Sequence, residues 1–289
     1  MTRKPIVAGM FYADNFNELD SQINDSFNSK FGPWALPLSK RTKNILGIIA
    51  PHAGYPYSGP AAAWAYKEIA ESKFPNTYIM LGLSHSGYPS CVSLEDWETP
   101  FGPIKTDIEF NRTLMANSSL KQNEEAHAQE HSIEVQLPFL QFASKDHLKE
   151  LKIAPIIISE DIPYEDIAKA IVKTIEQTRR KVTIIISSDF THYGMNYGFF
   201  PFHIEDAKER MYKLDKEAIE NIKSLDPKKF LNYIEKTGAT ICGRTPIAAG
   251  IAICKILGAK KAELLNYYTS GDISKDYSSA VGYAAISIG

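Results

Sequence analysis

The feature that most constrains the fold is the stretch from Val182 to Gly194, in which a β-branched run is followed by a polar segment. A continuous β-branched run such as 182–186 is typical of a strand buried on both faces of a parallel sheet. Ligands of open α/β sheets bind beyond the carboxyl ends of the strands, so Asp189 and His192 in the polar segment are candidate catalytic residues. The alternative is a capped turn in which Asp189 begins a helix and His192 is merely exposed.

Two further segments combine an apolar strand with a histidine at its end. Residues 44–50 and 77–83 are apolar runs, and His52 and His85 follow them in turn-rich loops. Neighbouring strands lie roughly 5 Å apart, so side chains at their ends can converge on one point. Each histidine alone is ambiguous, because a single loop histidine is often structural or solvated.

Cys242 lies in the sequence Thr-Ile-Cys-Gly-Arg, ahead of a predicted apolar helix at 244–256. Two imidazoles and a thiolate bind a divalent metal and leave positions open for water or substrate, which predicts a site formed by His52, His85 and Cys242. Imidazole suits iron, zinc and copper, and thiolate favours softer ions or zinc. The start of the helix is expected to lower the pKa of the thiol. Alternatively, Cys242 is only a small buried side chain.

Acid–base chemistry beside this site is assigned to His192, with Asp189 orienting its ring. Glu130 and His131 form another polar turn, which either joins the pocket or caps the helix after it. Aromatic residues near the pocket either stack on a ligand or serve core and rim packing. These aromatic residues are Phe11, Tyr12, Tyr55, Tyr57 and Tyr193.

Composition narrows the class of protein. The chain has 289 residues, 44% of them hydrophobic, and a net charge of −2. We expect one α/β domain over residues 1–289, with a mostly parallel central sheet flanked by helices. The charge argues against nucleic acid as a partner, and no apolar run is long enough to span a membrane. Three cysteines without a paired framework, and no secretory signal, predict reduced thiols in the cytoplasm.

Two helix starts follow from capping residues. Asp14 fits the N-cap of a helix that carries Leu19, Ile23 and Phe27 at helical spacing. Pro60 fits an early position of the alanine-rich helix that follows His52. Both predictions rest on local sequence alone.

Several motifs, in order along the chain, resemble those of the Memo family. They are Ala50-Pro-His-Ala-Gly-Tyr55, Leu81-Gly-Leu-Ser-His85, Glu130-His-Ser-Ile-Glu134, Ser187-Ser-Asp-Phe-Thr-His192 and Ile241-Cys-Gly-Arg-Thr-Pro246. The resemblance covers nearly the whole chain and implies a fold similar to that of class III non-haem iron extradiol dioxygenases. Residues that match the family's metal ligands are His52, His85 and Cys242. Asp189 and His192 match other pocket residues, and His131 matches a position near the pocket.

The resemblance also implies cofactors and partners. The family is associated with copper- or iron-dependent redox chemistry, and its animal members with binding of phosphotyrosine peptides. Prokaryotic members commonly occur beside a radical-SAM protein, which is the expected functional neighbour. Extradiol dioxygenases bind iron with two histidines and a carboxylate, whereas the third ligand position here is Cys242.

Three functions therefore remain open. The first is a metal-dependent oxidoreductase, dioxygenase-like in its chemistry, with a small-molecule ligand. The second is a non-catalytic module that kept the cavity and binds a (phospho)peptide or another ligand. The third is a zinc hydrolase in which His192 or Glu130 is the general base.

Overall fold

Strands and helices alternate through most of the chain, and a computed structural model describes residues 2–38 and 40–289. The strands are β1 (Thr2–Arg3), β2 (Gly47–Ala50), β3 (Thr77–Gly82), β4 (Cys91–Val92), β5 (Asp96–Thr99), β6 (Gly102–Thr106), β7 (Lys121–Gln122), β8 (Lys152–Ile157), β9 (Val182–Ser187), β10 (His192–Gly194), β11 (Ala262–Thr269) and β12 (Ser279–Ile288). The α-helices are α1 (Phe16–Asn28), α2 (Tyr55–Glu71), α3 (Ile108–Asn117), α4 (Glu124–Ala128), α5 (Gln136–Ala143), α6 (Tyr164–Thr178), α7 (Ala207–Lys223), α8 (Pro227–Thr237), α9 (Arg244–Ile256) and α10 (Ser270–Ser274). Short 3₁₀ helices cover Met195–Tyr197 and Ile204–Asp206. Within the described residues, no helix has both the length and the apolar character needed to cross a membrane.

The centre of the sheet is parallel and buried on both faces. β8, β3, β9 and β2 lie side by side in that order, and each neighbouring pair is parallel. Along β9, Ile184 and Ile186 pack into the core beneath α3 and α6 to α9, whereas Ile185 packs into the core beneath α1, α2 and α5. This alternation explains the unbroken β-branched run. The predicted α/β class, with a parallel centre flanked by helices, is confirmed.

Antiparallel pairs occur on both sides of the parallel centre. β12 pairs antiparallel with β2, β10 and β11, and β5 with β6 forms an antiparallel hairpin. In the β2–β12 register, Ile288 lies opposite Gly47 and Ile286 opposite Ile49. The beginning of β12 therefore lies at the same edge of the sheet as the end of β2, and this edge carries the candidate site.

Both predicted helix starts are wrong in position. α1 is capped by Asn15, whose side chain accepts from the third helical N–H, and not by Asp14. α2 begins at Tyr55, whose N–H donates to the carbonyl of Phe11 at 2.7 Å, and Pro60 lies inside the helix. The local sequence does not distinguish a proline inside a helix from a proline in the first turn of a helix. The loop that carries His52 is consequently short and held close to the sheet.

Candidate metal centre

The ends of three neighbouring parallel strands carry the predicted site residues. His52 lies two residues after β2, His85 three residues after β3, and Asp189 two residues after β9. β9 lies between β2 and β3 in the sheet. The predicted arrangement of these loops at one sheet edge is confirmed, and Asp189 does not begin a helix.

The three predicted metal ligands are brought together. One ligand atom each from His52, His85 and Cys242 lies within 4.8 Å of the other two. The Sγ of Cys242 is 3.4 Å from Nε2 of His52. Tetrahedral ligands on a zinc-sized ion, with bonds of roughly 2.0 to 2.3 Å, are separated by about 3.5 Å. Residues from the loops after β2 and β3 and before α9 therefore form a candidate metal centre.

The position of Cys242 depends on its neighbour Gly243, the N-cap of α9. The N–H of Gly243 donates to Oγ of Ser188 at 3.0 Å. A Cβ at position 243 would lie only 2.4 Å from Cβ of Ser188, so only glycine permits this approach. The N–H of Asp189 donates to the sulfur of Cys242 at 3.3 Å. Cys242 is thereby fixed against the end of β9.

A buried hydrogen-bond chain fixes the tautomer of His52. The hydroxyl of Ser187 donates to the carbonyl of Ser132 at 2.6 Å, and Nε2 of Gln136 donates to that hydroxyl at 2.9 Å. The hydroxyl has only one proton, so Nδ1 of His52, 2.8 Å away, must be a donor. Nε2 is therefore left with its lone pair on the side of Cys242. Burial, followed by the charges of His85 and His131, lowers the pKa of His52 well below its usual range, which keeps the ring neutral.

Glu130 fixes the tautomer of His85 in the same way. Nδ1 of His85 lies 2.9 Å and 3.2 Å from the two carboxylate oxygens of Glu130. Burial by itself raises the pKa of Glu130, but hydrogen bonds and charge from His85 and backbone N–H groups lower it to about 2. An ionised carboxylate only accepts, so Nδ1 of His85 is the donor. Nε2 of His85 is then free to bind a metal.

Glu130 positions other groups and is a poor candidate for a metal ligand itself. His85, Glu130 and His131 also offer ligand atoms within 4.8 Å of one another. However, the Glu130 carboxylate already accepts the backbone N–H groups of His85 at 2.6 Å and of His131 and Ser132 at 2.8 Å each. The predicted alternative, a cap for the next helix, is wrong, because α5 has no side-chain cap bond. The ring of His131 stacks on that of His85, with centroids 4.5 Å apart.

Asp189 does not orient His192, contrary to the prediction. Its Oδ1 accepts the backbone N–H groups of His52 at 2.8 Å and Ala53 at 3.4 Å, and its Oδ2 lies 4.0 Å from Nε2 of His52. Burial raises the pKa of Asp189, and the nearby His192 acts in the opposite direction. Asp189 therefore holds the loop of His52. This role was not predicted, because the two residues are far apart in the sequence.

Two backbone carbonyls orient His192 instead. Its Nδ1 lies 3.0 Å from the carbonyl of Phe190 and 3.2 Å from that of Thr240. A carbonyl can only accept, so Nδ1 is the donor and Nε2 is free to accept a proton. Tyr197 contacts the ring edge-on, with centroids 5.0 Å apart.

Several predicted pocket residues do not line the cavity, among them Glu130, Tyr55 and Tyr193. Tyr55 is buried at the start of α2, donates its hydroxyl to the carbonyl of Val135 at 2.7 Å and packs on Phe139. Tyr193 stacks on Phe202 and donates to its carbonyl at 2.9 Å. Because successive side chains of a strand point to opposite faces, Tyr193 in β10 is directed away from its neighbour His192. Tyr55 and Tyr193 therefore pack elsewhere and do not line this cavity.

The expected low pKa of the Cys242 thiol is also wrong for the metal-free protein. Burial, followed by the charge of Asp189, raises the pKa of Cys242 above its ordinary value. Hydrogen bonds from Asp189 and Gly243 lower it, but by less. Without a cation, the sulfur is therefore protonated at neutral pH, and metal binding must displace that proton.

A cavity of about 490 Å³ opens above the site. Its floor includes His52, His85, His131 and Asp189, with His192 in the wall. Several lining residues were not predicted from the sequence. These are Tyr197, Ser270, Ser274, Asp276, Ser279, Val281 and Tyr283. An antiparallel assignment for β12 would have placed its first residues at this edge. Of the predicted aromatic residues, Phe11 and Tyr57 line the cavity and Tyr12 does not.

The fold and the site together define an α/β protein with a candidate two-histidine, one-cysteine metal centre at the carboxyl edge of its sheet. Residues 3–287 match the family model described as Memo-like protein. A MEMO1 family protein of Methanopyrus kandleri is 39% identical over 99% of this chain and 98% of the relative. MEMO1 family proteins of Desulfurococcus amylolyticus and Nitrosopumilus maritimus are 40% and 39% identical, over 98% and 99% of both chains. The chain belongs to the Memo family.

Proposed function

We propose that the protein is a metal-dependent oxidoreductase, dioxygenase-like in its chemistry, whose iron or copper ion binds His52, His85 and Cys242. The observation that carries the proposal is the meeting of two pre-oriented imidazoles and one sulfur beneath an open cavity. Three protein ligands leave coordination positions open, and two nitrogens with one sulfur suit iron, copper and zinc. A bound iron or copper ion would supply redox chemistry at those open positions.

The protein's own residues would supply orientation and proton transfer. Ser187 and Glu130 hold the Nδ1–H groups of His52 and His85, which keeps both Nε2 lone pairs turned to one point. His192 presents a free Nε2 in the cavity wall, suited to take a proton from a bound ligand and return it. Asp189, on the cavity floor, is the second candidate for proton transfer.

A zinc hydrolase is the competing function, because the same donor set suits zinc. Of the two predicted general bases, His192 fits better than Glu130, because the carboxylate of Glu130 is occupied by N–H donors. A radical-SAM protein as functional neighbour and a cytoplasmic location stay predictions.

Metal reconstitution without oxygen tests the proposal. Tag-free protein is stripped with a chelator, loaded separately with Fe(II), Cu(I) and Zn(II), and assayed for bound metal and thermal stability. We expect one ion per chain, an increased Tm, and oxygen consumption with iron or copper when phenolic substrates are supplied. The Cys242→Ala variant should lose all three, and the Cys91→Ala variant, which removes a buried thiol elsewhere, should keep them.

Two outcomes would overturn the proposal. Failure to bind any of the three ions, with an unchanged Tm, would remove the metal centre altogether. Tight zinc binding with hydrolytic turnover, and no oxygen consumption with iron or copper, would favour the hydrolase.

A further inference from the structure

The described residues that line the cavity include no lysine or arginine. Its carboxylates are those of Asp189 and Asp276, and its basic groups are histidines, of which His85 has a raised pKa because burial is outweighed by the hydrogen bond and charge of Glu130. Proteins that bind phosphorylated ligands place arginine or lysine against the phosphate. The cavity therefore lacks the arginine or lysine that such proteins place against a phosphate.

The walls are aromatic. Phe11, Tyr57, Tyr197 and Tyr283 line the cavity, and Tyr57 and Tyr197 are 45% and 44% exposed. Exposed ring faces can stack on an aromatic ligand. The same faces attract organic cations through the ring quadrupole. The walls therefore favour a ligand that contains an aromatic ring, a cation or both.

Asp276 supplies an unneutralised carboxylate at the exposed side of the cavity. It accepts the N–H of Ser278 at 2.8 Å and forms no ion pair with any described residue, whereas the nearby Lys208 pairs with Asp272. The adjacent Lys275 directs its Nζ to the carbonyl of Asp272 at 2.7 Å and so does not neutralise it. Asp189, by contrast, lies on the buried floor and is occupied by backbone N–H groups. Asp276 is therefore the group available to meet a cationic end of a ligand.

We propose that the cavity binds an aromatic amine, with its ring between Tyr57 and Tyr197 and its ammonium group at Asp276, and that it discriminates against phosphorylated aromatics. This inference deepens the proposed function, because it names the substrate class of the same site. A ligand with this arrangement directs the end opposite its ammonium group towards the histidines of the floor. A cavity that binds phosphopeptides would show the opposite selectivity, so an experiment can distinguish the two proposals.

Probes that share one aromatic ring and carry different charges test the proposal. Tyramine, 4-ethylphenol, 4-hydroxyphenylacetate and phenyl phosphate are titrated into the metal-free and the zinc-loaded protein, and binding is followed by NMR shifts of residues lining the cavity. We expect tyramine to bind roughly three- to fivefold more tightly than 4-ethylphenol, as an exposed ion pair allows. The two anionic probes should bind the metal-free protein no more tightly than 4-ethylphenol.

Two variants locate the effect. Asp276→Asn should remove the preference for tyramine and leave the affinity for 4-ethylphenol unchanged. Asp166→Asn removes the same charge from the exposed surface of α6, away from the cavity, and should keep the preference. Equal binding of tyramine and 4-ethylphenol, an unchanged preference in Asp276→Asn, or tightest binding of phenyl phosphate to the metal-free protein would overturn the proposal. Because the metal-free protein is included, loss of the proposed metal chemistry is distinguished from loss of this selectivity.

Discussion

The floor and the rim of the cavity differ in how their side chains are held. On the floor, His52 and His85 have their Nδ1–H groups bound by buried acceptors, and Cys242, which lies behind them and does not line the cavity, receives a backbone N–H. On the rim, Tyr57 and Tyr197 are almost half exposed. The difference indicates that hydrogen bonds hold the floor in position before any ligand binds, whereas the rim tyrosines are open to solvent.

The same difference separates two kinds of effect. Substitutions on the floor should act on metal affinity, because a displaced ligand or tautomer cannot be restored by side-chain rotation. Substitutions on the rim should act on organic ligands and leave the metal in place. The predictions below test this separation, beginning with the largest expected change.

Cys242→Ser should cause the largest loss. A serine hydroxyl is a poor ligand for zinc compared with thiolate, so we expect zinc affinity to fall about 100-fold or more while the fold is retained. Competition with a chromophoric chelator measures the affinity, and circular dichroism measures the fold. Cys91→Ser is the matched control. An affinity within threefold of the wild type would show that the sulfur is not a ligand.

Glu130→Gln should have the next largest effect on metal affinity. The neutral amide loses the charge that attracts Nδ1–H of His85, and it cannot accept all the N–H groups that the carboxylate accepts. We expect about 10- to 100-fold weaker zinc binding, as for other groups that orient metal-bound histidines. Glu125→Gln, which changes an exposed residue bonded to Tyr88, should have no effect. Equal losses in both variants would refute the assigned role.

Acid denaturation provides an independent test of Glu130. Its folded pKa of about 2 lies below its ordinary value of 4.5, so it stabilises the fold above pH 4.5, and this contribution is lost as the pH falls towards 2. The metal-free wild type should therefore lose on the order of 2 kcal/mol more unfolding free energy than Glu130→Gln over this range. Urea denaturation at a series of pH values measures the difference. Parallel curves for the two proteins would contradict it.

Much of this site was predictable from the sequence, because it depends on regular elements. The three ligands can be placed without knowledge of side-chain contacts, because His52 and His85 follow buried strands and Cys242 precedes an apolar helix. The partners of these residues were not predictable. Ser187, which sets the tautomer of His52, was read only as part of a polar run, and Asp189 was paired with His192, its neighbour in sequence, instead of with the loop of His52.

Ser187→Ala should have a smaller effect than either change above. It removes the acceptor that fixes the tautomer of His52 but introduces no competing group. We expect about tenfold weaker zinc binding. Ser26→Ala removes a buried hydroxyl that bonds only within α1, and it should leave the affinity unchanged. An unaltered affinity in Ser187→Ala would show that the tautomer is fixed in another way.

Tyr197→Ala should have the smallest effect on the metal. Tyr197 is a rim residue whose ring contacts that of His192 edge-on. No described hydrogen bond joins it to His52, His85 or Cys242. We expect zinc affinity within twofold of the wild type, together with several-fold weaker binding of aromatic probes, since stacking contributes roughly 0.5 to 1.5 kcal/mol. A large loss of metal affinity would abolish the distinction between floor and rim.

X-ray absorption spectroscopy of the zinc-loaded protein tests the central claim most directly. We predict one sulfur at about 2.3 Å and two imidazole nitrogens at about 2.0 to 2.1 Å, with the sulfur shell absent in Cys242→Ser. A spectrum of the wild type with only nitrogen and oxygen ligands, unchanged in Cys242→Ser, would contradict a metal centre built from His52, His85 and Cys242.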